Sequence, residues 1–297
     1  MALQKQIWIN SIVEGLFADN TFASRSLNHS MFVNDKKVHV PNAGSAPTIV
    51  KNRSVFPGTA SGRTDYDLDY DIDEYTSDPV HIQDAEKVEL SYNKRESVLK
   101  QMKSALADSV HGDLIVAWTP AGYAKVGTSG SSVPAHQASA TGNRKAMTRG
   151  DVMAIKKQFD IDDIPQTGRC LLLDSVMYNQ LLESLTEAQA NAFLNSADAQ
   201  KGTVGNIYGF DVYERSSVLR TVANGGTLAS SAAATDAAAG LAWHEDFVSR
   251  ALGETKIFDN QDDPLYYGDI MSALVRAGGK YCRYDKKGVC VIYQVTP

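Results

Sequence analysis

Nine consecutive residues in the first third of the chain alternate between acidic and apolar side chains. Aspartates at positions 65, 67, 69, 71 and 73 are separated by Tyr66, Leu68, Tyr70 and Ile72. Side chains of a β-strand point to opposite faces with a period of two, whereas a helix would scatter both sets around its axis. The pattern therefore predicts a strand about 30 Å long, at roughly 3.3 Å per residue. Its length, acidic face and apolar back are typical of an arm that lies across another surface.

The residues before this strand predict the other half of a long hairpin, over residues 38–74. Residues 48–56 are rich in β-forming side chains, and residues 57–62 favour a turn. Lys51 and Arg53 alternate along this first strand as the aspartates do along the second. We expect them to face aspartates, either across the hairpin or on another subunit.

Elsewhere the pattern mixes helices and strands. The strongest helix is predicted from Asn93, a suitable N-cap followed by Glu96, to His111, where Gly112 interrupts the pattern. Because the elements follow no regular βαβ order, the predicted fold class is α+β. Further helices are predicted over 148–159, 176–185, 187–193 and 241–252, strands over 168–173, 205–213 and 271–275, a closing hairpin over 281–295, and loops over 127–144 and 223–240.

The first 30 residues contain a short apolar segment with roughly helical spacing, followed by a polar stretch. This segment predicts either an arm that needs a partner surface or a docked terminal helix. Its apolar residues are Ile7, Trp8, Ile12, Val13, Leu16 and Phe17.

The charge of the chain is concentrated in one segment. The 297 residues carry a net charge of −6, but residues 65–89 hold ten acids and one base, which leaves +3 for the rest. Since no comparable basic stretch exists, we do not expect tight binding to a polyanion through phosphate neutralisation. No apolar run is long enough to span a bilayer and no signal-peptide pattern is present, so the expected compartment is cytoplasm-like. Cys170, Cys282 and Cys290 show no CxxC spacing and are predicted to be reduced, packed thiols.

No motif for catalysis, metal binding or cofactor binding emerges, so we predict a non-enzymatic protein with no cofactor. The aspartate run is not an EF-hand loop, because its sixth and twelfth positions are Tyr70 and Thr76 instead of glycine and glutamate. His244 and Glu245 begin like a zinc-protease helix, but Val248 stands where the second histidine is needed. The sequence also lacks a phosphate-binding loop, a dinucleotide fingerprint and a nucleophile elbow.

Two glycine-containing stretches add to this order of elements. Together with the N-terminal arm, the long hairpin and the long helix, they resemble the major capsid proteins of tailed bacteriophages, which share the fold named after the Hong Kong 97 phage. The order and spacing of these motifs carry the resemblance, since none is specific alone. The stretches are Ile164, Pro165, Gly168, Arg169, Leu171, Leu172, Leu173, Asp174 and Tyr178, and then Gly205, Gly209, Phe210, Val212, Tyr213 and Ser216.

The resemblance implies a specific domain organisation. An N-terminal arm is expected over residues 1–37, an extended loop formed by the β-hairpin over 38–83, a peripheral domain with the spine helix over 84–120 and 250–297, and an axial domain over 121–249.

The resemblance also implies a structural role in a virion. Copies of the chain are expected to form pentamers and hexamers that close into an icosahedral shell around double-stranded DNA, without sequence-specific DNA binding or a membrane. The implied partners are scaffolding, portal, and decoration or head-completion proteins, and assembly is expected in the host cytoplasm. Because no long N-terminal extension resembles a fused scaffold, a separate scaffolding protein is expected.

The hairpin is the predicted assembly interface, since ring-forming contacts join one patch to a different patch on the next copy. Two alternatives remain open at this point. A metal-dependent Asp-x-Asp transferase would need a nucleotide-binding βαβ unit, and a monomeric binding module would need a secretion signal. The predicted interface residues are Lys51, Arg53, Arg63, Asp65, Asp67, Asp69, Asp71 and Asp73.

Overall fold

A computed structural model describes residues 22–33, 36–44, 48–58, 60, 62–83, 94–198, 202–222, 225, 227–229 and 231–297. The apolar segment at residues 7–17, most of the N-terminal arm and the proposed cap Asn93 lie outside these ranges. The described residues form four α-helices and sixteen strands. The helices are α1 (Lys94–Trp118), α2 (Arg149–Ile161), α3 (Ser175–Glu183) and α4 (Glu187–Asn195). The strands are β1 (Leu27–Asn28), β2 (Lys37–Asn42), β3 (Tyr66–Asp71), β4 (Asp73–Thr76), β5 (Val80–Gln83), β6 (Ala124–Gly127), β7 (Ser132–Pro134), β8 (Asn143–Lys145), β9 (Arg169–Asp174), β10 (Gly205–Ile207), β11 (Phe210–Arg215), β12 (Leu219–Thr221), β13 (Ala237–His244), β14 (Val248–Asp263), β15 (Gly268–Tyr281) and β16 (Val289–Tyr293).

A seven-stranded mixed sheet forms the larger core. Its strands follow the order β10-β11-β9-β13-β16-β6, and β12 pairs with β13. Every residue of β9 and β13 is buried, because both faces of the sheet are covered. Leu171 and Leu173 pack on the side of α2, α3 and α4, whereas Cys170 and Leu172 pack on the side of Trp118 in α1. Burial on both faces explains why these strands are continuous apolar runs.

A second, five-stranded sheet is built on the long hairpin of β14 and β15. Its order is β1-β14-β15-β4, and β5 also pairs with β15. Helix α1 covers one face, with Met102, Leu106 and Val110 packed on apolar residues of β14 and β15. The last turn of α1 reaches the other core, and Trp118 Nε1 donates a hydrogen bond of 2.7 Å to the carbonyl oxygen of Ser249 at the start of β14. Helix α1 therefore joins the two sheets.

The prediction that the long helix ends at Gly112 is wrong, since α1 continues to Trp118. A helical glycine costs about 1 kcal/mol relative to alanine, which packing on both sides of the glycine outweighs here. Val110 lies in the core of the five-stranded sheet, and Leu114 and Ile115 lie in the core of the seven-stranded sheet.

Three predictions near the C-terminus are also wrong. The helix predicted over 241–252 is the end of β13, a 3₁₀ turn at Glu245–Phe247 and the start of β14. The loop predicted over 223–240 ends before Ala237, where β13 begins. The closing hairpin does not form, because β16 pairs with β13 and β6 instead of with β15. The predicted helix is wrong because a buried apolar run has no period that separates strand from helix.

Several other elements are confirmed. Helices α2, α3 and α4 and strand β9 lie where the periodicity placed them, and Thr148 and Asp151 form a capping box at the start of α2. The strand predicted over 205–213 is instead the hairpin of β10 and β11, which turns at Tyr208 and Gly209, both with positive φ.

Candidate assembly surface

Strands β2 and β3 form a separate two-stranded antiparallel ribbon. Their register runs from Lys37 opposite Asp71 to Asn42 opposite Tyr66. The acidic run does not continue as one strand, because β3 ends at Asp71 and β4 pairs with β15 of the five-stranded sheet. The partner of the acidic strand is therefore 37–42, and the prediction that residues 48–56 supply it is wrong. The ribbon ends where β3 stops at Asp71 and β4 leaves for the five-stranded sheet at Asp73. We call this end of the ribbon, around Ile72, its root.

The aspartate face of the ribbon is exposed and contacts basic side chains of its own chain. Lys37 Nζ lies 3.4 Å from Asp69 Oδ2 and 3.6 Å from Asp71 Oδ1. His39 Nδ1 lies 3.0 Å from Asp67 Oδ2, and Arg63 Nε lies 2.6 Å from Asp65 Oδ1. Pairing with Lys37 across the two strands and with Arg63, two residues before Asp65, reduces the repulsion along the row of carboxylates.

The titration of the ribbon reflects these contacts. The hydrogen bond from Lys37 holds the pKa of the Asp69 carboxyl below its ordinary value. The hydrogen bond from Arg63, aided by the backbone N–H of Gly44, does the same for the pKa of Asp65. Both carboxylates are therefore ionised at neutral pH, and their pairing is lost only when the pH falls through these lowered pKa values.

Lys37 and His39 were not among the predicted interface residues. A signal for them does exist, since residues 37–40 alternate basic and apolar side chains as Lys37, Val38, His39 and Val40. The run is too short to stand out beside the nine-residue acidic one. Of the predicted cations, Arg63 meets the aspartate face, whereas Lys51 and Arg53 lie beyond the end of β2.

The apolar face of the ribbon is covered by its own chain near the root. Tyr70 and Ile72 are buried and pack with Val38 of β2 and Ala251 of β14. Lys280 Nζ donates a hydrogen bond of 2.8 Å to the carbonyl oxygen of Asp69. At the opposite end of β3, Tyr66 stacks on Tyr284 with ring centroids 4.5 Å apart. The subunit's own chain therefore contacts this face at both ends of β3.

The end of the ribbon behaves differently. Residues 48–58, which we call the tip, are all exposed. Ile49 is 92% exposed and Phe56 is 75% exposed, so large apolar side chains face solvent beside Lys51 and Arg53. Within the described residues, neither of these two cations forms an ion pair with a carboxylate. An apolar, cationic patch of this kind on a projecting element is typical of an interaction surface.

A groove lies on the other side of the root, between α1, β4 and β15. Asp73, Tyr75 and Asp113 line it together with Leu114, and its volume is about 40 Å³, which is room for about one or two water molecules. Burial and the neighbouring Asp113 carboxylate raise the pKa of Tyr75 above its ordinary value. The phenol therefore stays protonated at every physiological pH.

Comparisons with known proteins find a match in structure only. No protein-family model matches the sequence, and no curated protein matches it. The capsid of cyanophage P-SCSP1u is 18% identical with a TM-score of 0.64, and the match covers 93% of this chain and 89% of that one. The capsid of Ralstonia phage GP4 is 14% identical with a TM-score of 0.62, covering 92% and 87% of the two chains. A virus-like particle from Pyrococcus furiosus is 7% identical with a TM-score of 0.57, covering 97% and 99%.

The chain has the Hong Kong 97-like capsid fold. The predicted α+β class and the resemblance in element order are thereby confirmed. The assignments of the ribbon to an extended loop and of α1 to a spine helix stay predictions.

The described residues were compared with the requirements of a membrane-spanning helix, a metal site and a phosphate site. They contain no helix that is both long and apolar enough to cross a membrane. No three His, Cys, Asp or Glu side chains in this part of the chain come together as a metal site. Strands β9 and β11 are parallel neighbours, and α3, α4 and β10 lie between them in the chain. The N-terminus of α3 is capped by Asp174, whose Oδ1 accepts a hydrogen bond of 2.7 Å from the backbone N–H of Met177. The other oxygen of Asp174 lies 2.7 Å from His136 Nε2. A carboxylate thus occupies the position where a phosphate would bind.

Proposed function

We propose that this protein is the major capsid protein of a tailed phage. Its copies form pentamers and hexamers, and these close into an icosahedral shell around double-stranded DNA. The observation that carries the proposal is the agreement of the whole fold with phage capsid structures, over 92–93% of this chain. A role in a shell is structural, and no step of it requires catalysis, a metal or a cofactor.

The ribbon supports self-assembly on physical grounds. Its tip exposes large apolar side chains that a monomer would leave in water, and each such side chain gains about 1.5–3 kcal/mol when fully buried. Burial against a different patch on the next copy is a heterologous contact, which produces rings when the rotation closes. We propose that the hairpin residues Lys51, Arg53, Arg63 and the aspartates of β3 belong to this interface.

The charge of the chain is consistent with a container for DNA. The net charge of −6 leaves no general attraction to phosphate, so packaged DNA is not held tightly by the wall. The proposal places the protein in the virion after assembly in the host cytoplasm. It includes scaffolding, portal, and decoration or head-completion proteins as partners, and DNA as enclosed cargo without sequence-specific contacts.

The two alternative functions gain no support. A transferase that binds a nucleotide at the β9–α3 connection would need an open helix N-terminus, which Asp174 fills. A monomeric binding module does not account for agreement with capsid structures along nearly the full chain.

Expression of the chain alone, followed by size separation and electron microscopy, tests the proposal. We expect pentamers, hexamers or closed particles, with assembly increased by a scaffolding protein. A monodisperse monomer or small dimer under all assembly conditions, with or without a scaffold, would overturn the proposal.

A further inference from the structure

We propose that residues 22–30 form a removable strap that holds the two sheets of the subunit at a fixed angle, and that the subunit bends between the sheets when the strap is released. This bend is a property of the single subunit and goes beyond the proposed function. Three features support it: the strap crosses the joint between the sheets, it is anchored in the core at one end, and its contacts are incompletely satisfied.

The two sheets meet at a short connection in the chain. Strand β13 of the seven-stranded sheet ends at His244, a 3₁₀ turn covers Glu245–Phe247, and β14 of the five-stranded sheet begins at Val248. A few residues between two rigid elements are the usual place where changes of φ and ψ are absorbed during domain movements. The turn is therefore the joint about which one sheet can tilt relative to the other.

The first half of the strap is bound before this joint. Trp243 Nε1 donates a hydrogen bond of 2.9 Å to the carbonyl oxygen of Arg25. The Arg25 guanidinium pairs with Asp211 of β11 at 2.9 Å and with Glu245 of the turn at 3.0 Å. These contacts fix Arg25 to the seven-stranded sheet and to the turn itself.

The second half of the strap is bound after the joint. Strand β1 pairs in parallel with residues 249–250 of β14. The backbone N–H of His29 donates to the carbonyl oxygen of Arg250 at 2.8 Å, and Ser30 Oγ accepts from the backbone N–H of Leu252 at 2.9 Å. The strap therefore connects the strand before the joint with the strand after it.

Phe22 anchors the strap between α1 and the seven-stranded sheet. Its side chain is 6% exposed. Its ring makes edge contacts with Trp118 of α1 and Trp243 of β13, with ring centroids 5.8 and 6.2 Å apart. Aromatic pairs of this kind favour a specific geometry. Since α1 packs on the five-stranded sheet, the anchor also fixes the two sheets relative to each other through the helix.

The strap has the properties of a segment that can open. Within it only Phe22 and Ala23 are buried. Two polar side-chain atoms are buried at the strap without a hydrogen-bond partner among the described residues, His29 Nδ1 in the strap and Tyr213 Oη in the core cluster that contains Phe22. Such atoms destabilise the closed state, and release of the strap returns them to water. Segments with few buried contacts are also those that open locally in native proteins.

Spin labels on the two sheets measure the bend directly. Lys157 of α2 and Leu265 at the far end of the β14–β15 hairpin are exposed, so both can be replaced by labelled cysteines, while the native thiols are buried. In the unassembled subunit, double electron–electron resonance is expected to give one narrow distance distribution. Phe22→Ala combined with Arg25→Ala removes the anchor and both ion pairs. We expect this strap variant to broaden the distribution at least about 2-fold or to add a second distance.

A matched control removes an arginine and a phenylalanine outside the strap. Arg215 of β11 pairs with Asp108 of α1 at 2.7 Å, so this pair also joins the seven-stranded sheet to the helix. Phe258 of β14 is 50% exposed. Because Asp108 is 80% exposed, Arg215→Ala combined with Phe258→Ala is expected to keep the width of the distribution within about 1.2-fold of the parent.

Hydrogen exchange separates release of the strap from unfolding of the subunit. In the strap variant we expect the backbone amides of His29 and Leu252 to exchange at least about 10-fold faster than in the parent, whereas the amides of β9 keep their rate. The milder variant Arg25→Gln is expected to accelerate the same two amides by a smaller factor.

The inference is overturned if the strap variant keeps the distance distribution of the parent, or if the control broadens it equally. It is also overturned if the amides of β9 accelerate together with those of the strap, since the strap then belongs to the core. The use of the bend in a shell, where pentamers and hexamers hold neighbours at different angles, rests on the proposed function. Because the subunit measurements need no particles, they can fail while the parent assembles and succeed while it does not.

Discussion

Arg169 places a buried positive charge under the seven-stranded sheet, where its side chain is 2% exposed. It donates to the carbonyl oxygens of Pro165 and Ile164 at 2.8 and 2.6 Å, pairs with Asp160 at 2.9 Å and lies over two phenylalanine rings. Arg169→Lys keeps the charge but loses the planar fork, so we expect it to lower the free energy of unfolding by about 2–4 kcal/mol. Denaturant unfolding of the subunit measures the change. Lys156→Ala removes the other, more exposed partner of Asp160 and should cost less than about 0.5 kcal/mol. Equal losses from the two changes would contradict this account.

The cysteines give a second test at the same scale. All three are free and buried, which confirms the prediction of reduced, packed thiols. Burial raises the pKa of Cys170 and of Cys290 to about 12, and it also raises the pKa of Cys282. Because the thiolate is the reactive form, less than about one thiol in a thousand is reactive at pH 8 for Cys170 and Cys290. We therefore expect iodoacetamide to label none of the three in the native subunit and all three in denaturant, as measured by mass spectrometry. Rapid labelling of Cys170 or Cys290 in the folded protein would show that these cores open.

At the scale of elements, α1 carries a glycine that the fold does not require. An added Cβ at Gly112 meets nothing within 4 Å, so Gly112→Ala should raise the free energy of unfolding by about 0.5–1 kcal/mol. Gly279 is the matched control in β15, since its added Cβ would lie 2.4 Å from the carbonyl oxygen of Ser249. Gly279→Ala should therefore destabilise the subunit. Thermal unfolding measures the stability of both variants. A loss of stability in Gly112→Ala would mean that α1 ends or bends at this residue.

The sequence predicted elements well where one face of the element is exposed. Helix α2 shows its apolar stripe at Val152, Ile155 and Phe159, and all three are buried as the spacing indicates. Strand β13 gives no such contrast, because all of its residues are buried, and its last residues were mistaken for a helix. The local pattern therefore identifies an element when one of its faces is exposed. It does not identify a strand that is buried on both faces and paired with strands far away in the sequence.

The sequence likewise predicted one part of the candidate assembly surface, the aspartate face of the ribbon, and missed the rest. The aspartate face is visible as a period of two, and the structure does expose it. The partner strand was misplaced because the choice between residues 37–42 and 48–56 depends on β14 and β15, which are about 200 residues away and hold the root through Tyr70 and Ile72. A local pattern contains no information on such contacts. The groove at Asp113 was missed for the same reason, since α1, β4 and β15 meet only in the folded chain.

At the scale of the whole molecule, the ribbon divides into a root that belongs to the subunit and a tip that does not. Tyr70 and Ile72 are buried in their own chain, whereas Ile49 and Phe56 contact solvent. Replacing residues 45–62 by a short glycine–serine turn should therefore leave the subunit folded, with an unfolding midpoint close to that of the parent. The same change should abolish particles, because it removes several apolar side chains worth about 1.5–3 kcal/mol each on burial from every contact between copies.

Analytical ultracentrifugation and electron microscopy measure both parts of this expectation on one preparation. Glycine–serine replacement of residues 138–140, in the segment between β7 and β8, serves as a control and should leave particle formation unchanged, since exposed loops away from a contact tolerate substitution. A tipless variant that still builds normal particles would place the contact between copies elsewhere on the molecule. A tipless variant that unfolds would mean that the tip, although exposed, stabilises the fold of its own subunit. If the truncated chain is folded but does not assemble, the root stabilises the subunit and the tip forms the contact between copies.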